Sequence, residues 1–194
     1  MVDLYTANLI IKQRETAEAL LDYRIIMDAL HEMDISQNTY IREVFCRHYG
    51  MKNLYSEEFR DEYFEIMEKM KRKRKITFRI CFEKVMGIRG RKELSFSSKL
   101  LHTLNPQYPI WDSTVAENHF HMKKPVAGEN PAENYTTRYE AYVDTYLTFM
   151  RSEEGITLIK LFDEQFPGSM TLCMFSIMLQ IELYSARGYT PKPV

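Results

Sequence analysis

Turn-forming residues are scarce in this chain. Seven glycines and seven prolines punctuate 194 residues, so the stretches between them are long enough for helical periodicity. Cysteine is scarcer still. Cys46, Cys81 and Cys173 stand far apart in apolar surroundings, with no CxxC pair. That spacing supports neither a zinc site nor a disulfide framework, and it predicts reduced, buried thiols in a cytoplasmic protein. No uninterrupted apolar run is long enough to cross a bilayer, and the beginning of the chain, with Asp3, does not read as a signal peptide. No membrane partner is expected. A charge excess is lacking too: 26 basic and 27 acidic residues leave a formal net charge of −1. Coating of nucleic acid by bulk charge is excluded, but a local basic face is not.

What is present is ordinary globular material. The chain is 45% hydrophobic and 27% charged, and its length suits one domain, 1–194, with a sizeable core. Thirteen tyrosines and eleven phenylalanines supply core volume and stacking surface. Leu20, Leu21, Ile25, Ala29 and Leu30 recur at helical steps and predict an amphipathic helix. A shorter helix is expected over 40–49. Ser56 should cap the next, with Phe59, Tyr63, Ile66 and Met70 on one face. Residues 76–86 read as helix or strand, broken by Gly87 and Gly90. A helix restarts over 94–104, with Phe96, Leu100, Leu101 and Leu104 inward, and Asn105-Pro106 ends it. Another should begin at Asp112. Residues 123–134 read as a surface loop. Pro131 opens a helix carrying Tyr135, Tyr139, Tyr142 and Tyr146, a stripe suited to core or rim. A short helix over 155–166 and a final one capped by Ser169 complete an all-α expectation.

The chemistry-bearing stretch is 85–115, VMGIRGRKELSFSSKLLHTLNPQYPIWDSTV. Gly87 and Gly90 allow a tight turn with close backbone approach. The turn precedes a helix start, where outward N–H groups and the helix dipole favour an anion. Arg89, Arg91 and Lys92 surround it. Two readings stay open: a phosphate-binding turn, or an ordinary connection with solvated cations. The run 69–75, which includes Lys73 and Arg74, has the same two readings. Farther on, a proline-containing loop leads to Ile110, Trp111 and Asp112. Asp112 stands where a helix N-cap would stand, and Thr114 and Glu117 are spaced for a capping box. A functional carboxylate in apolar surroundings is the other reading. His119 and His121 diverge on a helix, so no metal site is expected there.

This order of helix, glycine-bearing hairpin, helix, proline loop, aspartate and helix resembles the helix-hairpin-helix DNA glycosylases. It is most similar to their 8-oxoguanine glycosylase branch. Residues 109–115 resemble the Pro-Val-Asp-x-x-Val loop that presents that family's catalytic aspartate, with Trp111 as an extra residue. The hairpin departs from the family pattern: Met86-Gly87-Ile88-Arg89-Gly90 stands where Leu-Pro-Gly-x-Gly is usual. No four-cysteine motif is present, so the iron–sulfur branch is excluded.

The resemblance implies a two-lobed helical bundle with a helix-hairpin-helix element and a cleft near 87–115. It implies base excision from double-stranded DNA by a monomer without cofactor or metal, and Asp112 as the catalytic carboxylate. Gly87, Arg89, Gly90 and Arg91 would hold phosphate, with Lys73 and Arg74 contacting the backbone farther along. Tyr108, Trp111 and Phe120 would stack on the extruded base or fill its gap. Bifunctional members carry a lysine two residues after the hairpin's second glycine. Lys92 has that offset from Gly90, whereas counting back from Asp112 reaches Glu93; Lys99 is the other candidate. Two further functions stay open. One is a non-catalytic helical DNA-binding module in which Asp112 only caps a helix. The other is a helical interaction or toxin-like protein unrelated to DNA. Neither the excised base nor the choice between repair and antiviral defence is specified by these residues.

Overall fold

The computed structural model describes residues 4–51, 54–126 and 128–169. Among these residues the chain is all-α, without a strand. The helices are α1 Leu4–Ile11, α2 Arg14–Glu32, α3 Thr39–His48, α4 Glu57–Met70, α5 Phe78–Arg89 and α6 Leu94–Leu104. A π-helical turn, Thr114–His119, follows, then α7 Pro131–Met150 and α8 Glu153–Gln165.

Local chemistry sets most of the starts. Asn38, Ser56, Thr77, Asn130 and Ser152 each accept a hydrogen bond from an amide three residues on, which satisfies one of the orphan donors of a helix N-terminus. Pro131 then occupies the first turn of α7, where its missing N–H costs nothing.

The structure departs from the sequence reading in four places. Residues 76–86 belong to a helix, and Gly87 does not break it. α5 runs through Gly87 to Arg89, and Gly90 ends it in the left-handed region at φ 68°. One glycine inside a helix costs only about 1 kcal/mol, and Ile88 beyond it still packs on the core. Leu21 is exposed, because Tyr23 and Ile26 take the inward face of α2 beside Leu20. Phe64 and Met67 join Phe59, Tyr63 and Met70 on the buried side of α4. α8 starts before Gly155, on Ser152. Glycine is needed there because a Cβ would collide with the Phe149 carbonyl oxygen. The final helix expected from Ser169, and Cys173 within it, lie outside the described residues.

α2 packs on α3. α5 lies among α4, α6 and α7, and α8 returns to α1, which also touches α2. The buried apolar residues form one contiguous cluster from Ala7 to Phe162. Cys46 and Cys81 are buried free thiols, and burial pushes Cys81 up to about 12. Among the described residues no helix is long and apolar enough to cross a membrane.

Candidate functional site

α6 organises the region that carries the chemistry. Its N-terminus follows the 90–93 turn, and its buried flank holds the 105–112 loop. The loop is fixed backbone group by backbone group. The Tyr108 carbonyl lies 2.7 Å from His102 Nδ1. The Pro109 carbonyl accepts from the Tyr139 hydroxyl at 2.6 Å, and the Ile110 carbonyl from the Tyr142 hydroxyl at 2.8 Å. The Trp111 amide donates to Ser98 Oγ at 2.9 Å. All four side chains are buried. Burial pushes the Tyr139 and Tyr142 phenols well above their usual 10. Both hydroxyls therefore stay protonated and able to donate.

Asp112 is the next residue. Its Oδ1 accepts from the Thr114 amide at 2.8 Å and the Val115 amide at 3.2 Å, so it caps the turn that follows. Among the described residues Oδ2 takes no hydrogen bond, and the side chain is half-buried. The capping box spaced over Thr114 and Glu117 does not form: Asp112 already accepts from the Thr114 amide that Glu117 would reach, and Glu117 lies 3.4 Å from Lys124 Nζ instead. The turn is π-helical: the Phe120 amide bonds the Val115 carbonyl at 3.0 Å. Two residues beyond its end stands His121, the only non-glycine residue with positive φ among those described, at 53°. Single π turns and left-handed residues of this kind store strain and recur at functional sites.

The base-stacking candidates take different positions. Trp111 is 1% exposed and packs on Tyr142 at 5.0 Å between ring centroids. Phe120 is half-buried against Tyr142, Tyr146 and Phe149, at 5.7–6.4 Å. Tyr108 is half-buried. Trp111 and Phe120 thus converge on one tyrosine in the core, behind Asp112.

The two lysines differ sharply. Lys92 is exposed in the turn. Lys99 is 9% exposed; its ammonium donates to Ser95 Oγ at 2.6 Å and lies 4.6 Å from the Phe96 ring centre and 5.8 Å from that of Tyr49. It therefore sits against the end of α3, while Asp112 sits against the π turn. Next to Lys99 are two histidines. Burial lowers His48 and His102 from 6.5 to about 4 each.

The basic turn is open by comparison. Gly87 and Gly90 are exposed, as are Arg91, Lys73 and Arg74. Arg91 Nε lies 3.2 Å from Glu93 Oε1, and its guanidinium stands 5.6 Å from the Tyr55 ring centre. The Tyr55 hydroxyl donates to Glu93 Oε2 at 2.6 Å. Glu93 thus ties the turn to the α3–α4 connection. Arg89 is the last residue of α5.

No protein-family model matches the sequence, and no curated protein and no solved structure is significantly similar to the chain.

Three surface cavities lie elsewhere, between α3 and α4, at the α2–α4 edge, and between α2 and α3. The third, about 480 Å³, opens beside His48. Asp112 lines none of the three. Among the described residues no three His, Cys, Asp or Glu side chains group to hold a metal ion.

Tyr139, Tyr142, His102 and Ser98 hold the loop; the sequence reading placed the two tyrosines in core or rim and assigned no loop partner to any of the four. The tyrosine stripe was a signal, because a buried tyrosine must place its hydroxyl on an acceptor. Spacing alone could not name that acceptor thirty residues away in the chain.

Proposed function

We propose that this chain is a DNA N-glycosylase that excises a modified base, with Asp112 as its catalytic carboxylate. The observation that carries this reading is the presentation of Asp112. One oxygen is tied to two amides, the other takes no hydrogen bond among the described residues, and the preceding loop is held by four buried side chains. A helix cap contributes only about 1 kcal/mol and requires no such support. A carboxylate that stabilises developing charge does require it, because a preorganised group costs no reorganisation during reaction.

The mechanism follows from that placement. The target nucleotide leaves the duplex, at a few kcal/mol of unstacking. The bond between the base and C1′ of the sugar breaks, and positive charge grows on the sugar. The Asp112 carboxylate stabilises that oxocarbenium-like state and orients the water whose oxygen bonds to C1′. The base leaves with a proton and an abasic site remains. Exposed Arg91, Lys92, Lys73 and Arg74 suit phosphate contacts; Gly87 lies within α5 and the Gly90 amide donates to the Met86 carbonyl, so the two glycines give only room for close approach. If Lys92 or Lys99 reaches the same carbon, an imine forms and strand cleavage becomes available.

The second reading is a non-catalytic DNA-binding module. It is favoured by the cavities, which lie away from Asp112. One experiment separates the two. Purified protein is incubated with DNAs carrying modified bases, including modified viral genomic DNA, and abasic sites are counted. Release that falls at least about a hundredfold in Asp112→Asn supports the glycosylase, since asparagine caps as well as aspartate. No release from any DNA, with DNA binding equal in both proteins, leaves the module.

A further inference from the structure

α2, α3 and α6 meet around His102, which is wholly buried. The groups facing it are Tyr23 from α2, His48 from α3 and the Tyr108 carbonyl of the loop, while Lys99, one turn back on its own helix, faces His48. The Tyr108 oxygen, 2.7 Å from Nδ1, can only accept, so Nδ1 carries the hydrogen. Burial lowers the group to about 4, so at neutral pH the ring holds one proton and Nε2 presents a lone pair. The Tyr23 hydroxyl stands 3.1 Å from Nε2 and donates to it. The two contacts together select the Nδ1–H tautomer, the one free imidazole favours less in water.

We propose that His102 is a positioning residue for Asp112: as the Nδ1–H tautomer that the Tyr108 carbonyl demands, with Tyr23 on its other nitrogen, it fixes that carbonyl and through it the loop that ends on the capping carboxylate. The catalytic half of this inference rests on the glycosylase reading; the tautomer and the loop do not. The path is short. Tyr108 is held by His102, the next two carbonyls by Tyr139 and Tyr142, the next amide by Ser98, and the next side chain is Asp112. His102 and Ser98 lie four residues apart on α6, on adjacent turns of one face. One rigid helix therefore grips the loop at both ends. Tyr23 adds a link from α2, so a displacement of α2 against α6 reaches the carboxylate through one ring.

The test uses the whole chain. Long-range nitrogen–proton NMR at neutral pH reads the tautomer: a pyrrole-type Nδ1 and a pyridine-type Nε2 are expected, and the reverse pattern overturns the proposal. Two variants then separate positioning from packing. His102→Asn carries its amide nitrogen near the place of Nδ1 and keeps a donor for Tyr108. His102→Gln carries its amide near Nε2 and does not. The asparagine variant is expected to keep amide exchange at Thr114 and Val115 within about threefold of the parent, and the glutamine variant to raise it by at least about tenfold. Single-turnover base release is expected to fall about a hundredfold in His102→Gln with DNA affinity unchanged, and to be largely rescued in His102→Asn. Equal losses in both variants assign His102 to packing alone and overturn the proposal. If the glutamine variant does not fold, Tyr23→Phe supplies the second perturbation. It leaves the ring in place and the Tyr108 carbonyl on Nδ1, so a retained Nδ1–H pattern, a shifted Nε2 resonance and faster exchange at Thr114 are expected; an Nε2 resonance and exchange rate both unchanged overturn the role of Tyr23. Should no DNA release a base even with the parent protein, the glycosylase reading fails, while the spectrum and the exchange rates still decide His102.

Discussion

The 108–112 loop and the 90–93 turn flank the same helix and are built in opposite ways. In the loop, three successive carbonyls, from Tyr108 to Ile110, and the Trp111 amide each meet a buried side chain. In the turn, Arg91 and Lys92 project into solvent, and Glu93, bonded by Tyr55 and paired with Arg91, ties the turn to the rest of the fold. The difference matches two kinds of work. A carboxylate that stabilises developing charge must stay where it is. Cations that meet phosphates gain from reach and suffer little from mobility, because their attraction acts over a Debye length of about 8–10 Å.

Measurements can break or sharpen that contrast. The largest effect is expected at Trp111. Its replacement by alanine empties a fully buried site at the centre of the loop's support and should cost about 3–5 kcal/mol in urea unfolding. A cost near zero would show that the loop is not anchored by the core.

Acid should weaken the same side next. His48 and His102 both sit at about 4 in the folded chain and near 6.5 when unfolded. Between those values the unfolded chain binds more protons, so their contribution is fully present above about pH 6.5 and is lost as pH falls toward 4. The combined loss is on the order of a few kcal/mol, read as a falling urea midpoint between about pH 7 and pH 4.5. A flat midpoint would place both rings in water.

Tyr142→Phe is a finer cut. It removes one hydroxyl and leaves the Ile110 carbonyl buried without its donor, at about 1–3 kcal/mol. Exchange at the Val115 amide should rise with it. Lys92→Ala is expected to have the smallest effect on stability, within about 0.5 kcal/mol. Its consequence is for DNA: affinity falls, and the salt slope drops by about 0.9 per lost phosphate contact. An unchanged salt slope would remove the turn from the DNA interface and turn the contrast into one between a rigid loop and an ordinary connection.

Much of the helical layout is readable residue by residue. Ser56 as a cap, the span of α6, the stop at Asn105 and the start at Pro131 each depend on interactions within four residues, which sequence displays directly. Gly87 misleads because glycine breaks a helix only when the surrounding contacts are too weak to carry it, and Ile88 is packed. The site is legible in part. The position of Asp112 before a turn follows from its neighbours, and so does the basic character of 87–92. The loop's supports do not, since Tyr139 and Tyr142 find their acceptors across thirty and thirty-two residues. Nor does the contrast between Lys92 and Lys99, which have the same side chain and opposite burial.

The sequence by itself determined a mostly helical layout, the cap at Ser56, the stop at Asn105 and the start at Pro131, a near-neutral charge, and a carboxylate placed after a proline loop. Those properties follow from local propensity, hydrogen bonding within one turn, and composition. Only the tertiary structure decided which polar groups are buried together. It put His102 between Tyr23 and Tyr108, turned the tyrosine stripe into a clamp on the loop, and left one oxygen of Asp112 without a hydrogen bond among the described residues. Burial makes the difference, because a polar group removed from water must find a partner wherever the fold brings one, at whatever distance along the chain.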